Sequence, residues 1–228
     1  MPTDSIENFI RLLKRSPSAA AFNPWWQVDE QNDITLNAPA IRRKQLRAYL
    51  HKRLRTANIA IIGEAVGYRG GRFSGIPMTS ERLLFGRSEK VETKSSDFFS
   101  GIKPRRTSKK SPDGFSEPTA TIVWSTLLKL GVHPEEFVLW NAFPWHSFDR
   151  NRGELSNRAP RKAEQAEGLA VLKAFLELFP CKQVVALGKI AAAQLEQLGV
   201  DFHYVRHPAS GGANLFRHQI AKMLAGLD

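Results

Sequence analysis

The stretch "IIGEAVGYRGGRFSGIPM" (residues 61–78) opens as a short apolar run and becomes a loop with five glycines around one carboxylate, Glu64. Glycine lacks a Cβ, so a loop this rich in it lets other atoms approach its backbone closely. A Walker loop would need Gly-Lys-Ser/Thr to meet phosphate and metal, and a dinucleotide fingerprint would need G-x-G-x-x-G. Neither is present. The loop matches neither motif, and Glu64 within it is placed to act as a base or to position water.

Working outward from this strand, Ile59–Ile62, three further short apolar runs read as buried parallel strands: Phe137–Trp140, Val184–Leu187 and Phe202–Val205. Helical patterns separate them, marked by Ile122, Leu127 and Leu130, by Leu169, Leu172, Leu176 and Phe179, and by Ala191 to Leu198. Such alternation predicts an α/β fold with three layers, α/β/α, around a central four-stranded parallel sheet. In sheets of this kind function collects at the C-terminal edges of the strands. We expect one domain over 1–228 with a helical N-terminal extension, 1–55, and a basic, mobile loop at about 87–117. Within the extension, Asp4 and Glu7 form a capping-box pattern before Ile6, Phe9, Ile10 and Leu13. The basic run "IRRKQLRAYLHKRLR" (41–55) reads as a helix whose charges form a solvated face.

The chain has 228 residues, 42% of them hydrophobic, which suits a folded globule. Its 33 Lys and Arg outnumber 22 Asp and Glu, for a net charge of +11 and a pI near 10.0. Such a field favours polyanions, with nucleic acid first among the partners. Cys181 is the single cysteine. It excludes an internal disulfide, a thiolate zinc site and a cysteine-held iron–sulfur cluster. No His/Cys/Asp/Glu cluster shows metal-ligand spacing, so neither metal nor cofactor is expected. No stretch reaches membrane-spanning length and no leader pattern opens the chain, which predicts a cytosolic protein with no membrane partner.

Each predicted strand end carries a small motif. After the glycine loop comes Asn141-Ala142-Phe143-Pro144-Trp145-His146; an Asn here offers a carbonyl and an amide together, which suits a nucleobase edge, or else caps a turn. Next is "NRAPRKAE" (157–164), in which Arg158 reaches a phosphate or is simply solvated. The last is Arg206-His207-Pro208-Ala209-Ser210-Gly211-Gly212, followed by Asn214 and Arg217, where a His fixed by a Pro can donate to a developing anion or is simply a structural residue.

In this order the motifs resemble those of the uracil-DNA glycosylase superfamily: GEAVG (63–67), Asn141, Asn157 to Pro160, and HPAS (207–210). The resemblance covers roughly residues 57–224. It implies an enzyme that flips uracil out of DNA and hydrolyses its bond to deoxyribose, leaving an abasic site and free uracil. It further implies Glu64 and His207 as the catalytic pair: Glu64 for the water or the cationic sugar, and His207 for the uracil O2. Asn141 would read N3–H and O4, and Gly63, Ala65, Gly67, Tyr68 and Met78 would form the rest of the uracil site. Arg69, Arg158, Ser210, Gly211 and Arg217 would meet the DNA. A monomer in the bacterial cytosol or nucleoid is expected.

The chain also departs from that pattern. Val66 replaces the proline after GEA, Ala65 stands where the most active branch has Asp, and Met78 occupies the position of the aromatic residue that stacks on the base. Phe73 and Phe143 are alternatives for that stacking. Gly211 lies four residues after His207, where other members carry a bulky wedge, so weak retention of abasic product is expected, with Leu215 or Phe216 as substitute wedges. A uracil-DNA-binding relative with little turnover remains the second reading. A nucleotide-hydrolysing enzyme would need a phosphate loop that the chain lacks.

Overall fold

A computed structural model describes residues 2–15 and 20–226; residues 1, 16–19, 227 and 228, the first two of these lying in the expected N-terminal extension, are outside the described residues. In chain order the elements are α1 Pro2–Leu12, β1 Ala21–Phe22, α2 Ala38–Arg53, β2 Ile59–Ala65, α3 Gly71–Ser74, α4 Glu81–Leu84, α5 Ser95–Phe98, α6 Pro118–Lys129, β3 Phe137–Phe143, β4 His146–Ser147, α7 Lys162–Leu178, β5 Gln183–Leu187, α8 Lys189–Gln197, β6 His203–Val205 and α9 Ala213–Leu224. The four expected strands form one parallel sheet in the order β3-β2-β5-β6. β2 pairs with β3 from Ile59↔Phe137 and with β5 from Ile59↔Gln183. The chain leaves β2 toward β3 on one side and returns to β5 on the other. The C-terminal ends of these strands therefore flank a topological switch point, where a ligand crevice opens.

Both sheet faces are covered, which is why the strands read as continuous apolar runs. Trp140 on β3 stacks on Phe175 of α7 (centroids 5.0 Å apart) and meets Phe9 of α1 edge-on at 5.0 Å. Phe137, three residues earlier and hence on the opposite face, packs against Trp124 of α6 at 4.8 Å. The N-terminal extension is thus built into the core: Ile6, Phe9, Ile10 and Leu13 are buried as their helical spacing predicted. Its first helix begins at Pro2, and Glu7 pairs with Arg47 across the α1–α2 contact.

The basic helix α2 is not a solvated face throughout. Arg42 and Arg53 are fully buried. Arg42 forms a buried ion pair with Asp33 and donates to the Gln27 carbonyl at 3.0 Å. Arg53 Nε donates to Phe137 O at 3.0 Å, and the Leu139 N–H donates to Tyr49 Oη at 2.9 Å. These are backbone groups on the open edge of β3, whose one strand neighbour among the described residues is β2. Helix α2 therefore seals the sheet edge with side chains where another strand would otherwise pair.

Residues 87–117, expected as a basic mobile loop, follow an irregular path with several anchors along it. Phe98, Phe99 and Val91 are buried in the main core, Thr107 and Ser108 donate to Glu81, and α5 lies within the segment. Its polar composition conceals a few apolar anchors spaced too irregularly to show a period.

Candidate active site

Three strand ends meet around a hollow of about 330 Å³. Gly63 and Glu64 come from β2, Asn141 from β3, and His207 from the segment after β6; Asn157 to Pro160 close one side. The volume lies at the lower end of the range for small-molecule sites. Gly63 is required locally, because a Cβ there would stand 2.6 Å from Asn141 Oδ1 and 3.0 Å from Met78 Sδ. That contact also shows that the Asn141 amide and the Met78 sulfur converge on the same point of the hollow.

Asn141 is 1% exposed, yet neither its Oδ1 nor its Nδ2 has a hydrogen-bond partner. It is therefore not a turn cap. Leaving buried polar atoms unpaired costs roughly 1–3 kcal/mol for each group. Met78 holds a left-handed backbone conformation (φ 46°) beside it. Of the three candidates for stacking on a ligand, only Met78 lines the hollow. Phe73 is occupied by Phe115 (centroids 5.1 Å apart) and Phe143 by Trp145 (5.4 Å).

Glu64 and His207 meet across Gly188, the residue at the end of β5. A Cβ on Gly188 would lie 2.6 Å from Glu64 Oε1 and 3.4 Å from the His207 Cβ. Burial raises the Glu64 pKa above its ordinary value, opposed by a hydrogen bond from the Ile190 N–H at the start of α8 and by Arg206. Burial, and then Arg206, lower the His207 pKa. The His207 ring is therefore favoured neutral, and its Nδ1 accepts from the Ala209 N–H at 3.1 Å. The proton of that neutral ring consequently sits on Nε2, which makes Nε2 a donor. Gly212 keeps this turn closed, since a Cβ there would overlap the His207 carbonyl oxygen.

The glycine loop holds one of the protein's own carboxylates. A Cβ at Gly67 would overlap Glu117 Oε1, and one at Gly70 would overlap Glu117 Oε2. The residue as a whole is half-buried, but Oε2 is sealed from solvent and has no partner. Desolvation pushes the Glu117 pKa up to about 7. Asn157 Oδ1 accepts from the Tyr68 N–H at 3.0 Å, and the Val66 N–H donates to Trp145 O at 3.3 Å, which ties the same loop to its neighbours. His146 is wholly buried between the Val66 and Glu154 carbonyls, 2.8 and 2.9 Å from its ring nitrogens, and burial pushes its pKa down to about 4. It is a strut of this wall.

Glu117 and Gly188 were missed in the sequence. Gly188 follows a predicted strand directly, a position that is a usable signal. Glu117 lies on a segment read as a loop, and nothing local marks it.

The predicted DNA contacts divide. Arg158 is committed to the fold: it is bidentate to Glu164 (2.6 and 2.7 Å) and donates to Phe148 O, Ala159 O and Ala20 O. Its five N–H donors are all taken within the protein, which leaves none over for a phosphate. Arg69, Ser210, Gly211 and Arg217 are exposed, and Arg69 lies 5.3 Å over the Tyr68 ring. Ser210 and Gly211 hold left-handed conformations (φ 52° and 78°). Phe216 is fully buried and cannot act as a wedge, whereas Leu215 is 50% exposed on the first turn of α9. Among the described residues there is no group of three or more His, Cys, Asp or Glu that could hold a metal ion, and no helix long and apolar enough to cross a membrane.

The sequence model of one protein family, described as the uracil DNA glycosylase superfamily, matches residues 52–223. A comparison with curated proteins gave no match.

Proposed function

The chain belongs to the uracil DNA glycosylase superfamily, and from that premise we propose that it excises uracil from DNA by hydrolysis. The observation that carries this reading is the Asn141 amide, buried with both polar atoms unpaired, on the hollow that also holds Glu64 and His207. A carbonyl and an amide side by side match the N3–H and O4 of uracil, and such a bidentate contact discriminates by roughly 1–3 kcal/mol.

In this reading the uridine swings out of the stack into the hollow. Asn141 accepts from N3–H and donates to O4, while the polarisable Met78 sulfur lies against the base. As the bond between uracil N1 and the sugar C1′ lengthens, its electron pair moves into the base and charge collects on O2. The His207 Nε2–H donates to that oxygen, a contact worth on the order of 3 kcal/mol by comparison with other oxyanion donors. Water adds to C1′ and passes a proton to Glu64, whose raised pKa makes it a better acceptor than a surface carboxylate. The uracil anion takes up one proton as it leaves and Glu64 gives up the one it gained, so the products are an abasic strand and free uracil. Gly211 is too small to fill the gap left in a duplex, so abasic product is held weakly.

A second reading is favoured by one contact. The Ile190 N–H, in the first turn of α8, favours the charged form of Glu64, a placement that a binder of uracil-DNA with little turnover would also keep. A labelled oligonucleotide with one uracil separates the two. Alkali-sensitive scission with free uracil released supports excision. A stable band shift without scission contradicts it.

A further inference from the structure

The hollow that holds Asn141 does not end at its own walls. It shares Glu117, Thr119, Asn157 and Ala209 with a neighbouring hollow of about 290 Å³, bordered by Tyr68 and Arg69. That second hollow shares Pro118 and Ile122 with a third, of about 640 Å³. Pro118, Ile122, Ser125 and Lys129 line the third hollow and recur at i, i+4, i+7 and i+11, so one face of α6 runs its whole length. Eleven residues of helix span about 16 Å, the length of about five stacked nucleotides.

The charge changes along this path. In the third hollow Arg82 from α4, Lys90 from the 87–117 segment, Lys129 from α6 and Arg217 from α9 converge against a single carboxylate, Glu89. Arg82 spends its Nε on the Gly114 carbonyl and Arg217 one Nη on Asn214; Lys90 and Lys129 are exposed. Four cations from four separate elements facing one concave surface are suited to a chain of phosphates. The middle hollow supplies an aromatic ring, Tyr68, with Arg69 over it. A cationic groove joined to an aromatic side chain is what single-stranded nucleic acid needs, whereas a duplex is too wide to enter such hollows.

We propose that the three hollows form one track for a single DNA strand, which leaves the flipped nucleotide past Tyr68, follows α6, and places its phosphates among Arg82, Lys90, Lys129 and Arg217. The track deepens the glycosylase reading, from which it takes its starting point. The test uses the full chain and a double variant, Lys90→Ala with Lys129→Ala, neither residue lying in the excision site. Both side chains are exposed, so folding should be unchanged, as thermal unfolding will check.

Affinity is measured on single strands with one uracil, extended by five nucleotides on the 5′ or the 3′ side only. The wild type should gain about tenfold from one extension and little from the other, and the double variant should lose that gain. On a uracil-free strand, the salt slope of binding should fall by about 1.4 in the double variant, since each phosphate neutralised on a single strand contributes about 0.7. Equal gains from both extensions, an unchanged salt slope, or affinity for duplex reduced as much as that for single strand would overturn the track. Excision of a minimal strand too short to reach the third hollow is read separately. Its absence would sink the glycosylase reading while the uracil-free salt slope still reports on the groove.

Discussion

Arg53 and Asn141 are both buried almost completely, and they are treated in opposite ways. Arg53 donates to four backbone carbonyls, those of Phe137, Tyr49, Phe98 and Asp97. The side-chain amide of Asn141 has no hydrogen-bond partner, and the Glu117 Oε2 on the same hollow is equally unpaired. A fold accepts a buried polar group when its partners are supplied, as they are around the sheet edge. Where partners are withheld at the end of the same sheet, the proposed function assigns them to the bound base. Unpaired atoms elsewhere, such as Trp140 Nε1 and Gln194 Oε1, do not line this hollow and do not bear on that argument.

The comparison is broken most severely on its saturated side. Arg53→Met would leave several carbonyls unpaired and should destabilise the protein by about 3 kcal/mol or more, measured by urea unfolding, with excision per folded molecule unchanged. A change below about 1 kcal/mol would mean that α2 does not seal the edge of β3. On the unsaturated side, Glu64→Gln and His207→Ala should each slow single-turnover excision by about 10²–10³-fold. Affinity for uracil-free DNA should stay within about twofold, since it draws on phosphate contacts that neither change touches. Wild-type rates in the Glu64→Gln variant would remove Glu64 from the chemistry.

Glu117 sharpens the comparison through pH. Its ordinary pKa of 4.5 applies to the unfolded chain, and burial moves it to about 7 in the fold. Between these values the folded state binds more protons, so this group's contribution to stability is intact below pH 4.5 and is lost as pH rises to 7. The difference corresponds to about 3 kcal/mol. The charged or titratable groups facing it across the two adjoining hollows are Glu64, Tyr68, Arg69, Arg158 and His207. Glu117→Gln should therefore gain stability relative to wild type across pH 4.5–7, as read by thermal unfolding at several pH values. Parallel pH profiles for the two proteins would show that the carboxyl is hydrated instead.

The smallest expected change in stability is at Asn141. Asn141→Ala removes atoms that have no partner and should shift stability by about 1 kcal/mol or less, while weakening the preference for uracil by about ten- to a hundredfold. Asn141→Asp should admit cytosine, whose amino group can donate to the new carboxylate. Full uracil preference in either variant would return Asn141 to a purely structural role.

The parts of this molecule legible in its sequence are those set by short-range pattern. The four strands show as apolar runs because both sheet faces are covered, and strand ends place Glu64, Asn141 and His207 without knowledge of the packing. What was not legible depends on long-range partners. The charges of α2 look solvated until Asp33 and the β3 carbonyls are brought to Arg42 and Arg53. Arg158 resembles a phosphate ligand until Glu164 folds back on it. The glycines at 67 and 70 suggest room for a ligand, and the space is taken by Glu117, far along the chain.

The central claim is that the unpaired amide of Asn141 is completed by the base. A crystal of the protein soaked with uracil tests it most directly. Uracil should occupy the hollow, with its N3–H and O4 within hydrogen-bond distance of Asn141 and its O2 facing His207 Nε2. An Asn141 amide that has turned to a protein partner, with uracil bound elsewhere or not at all, would contradict it.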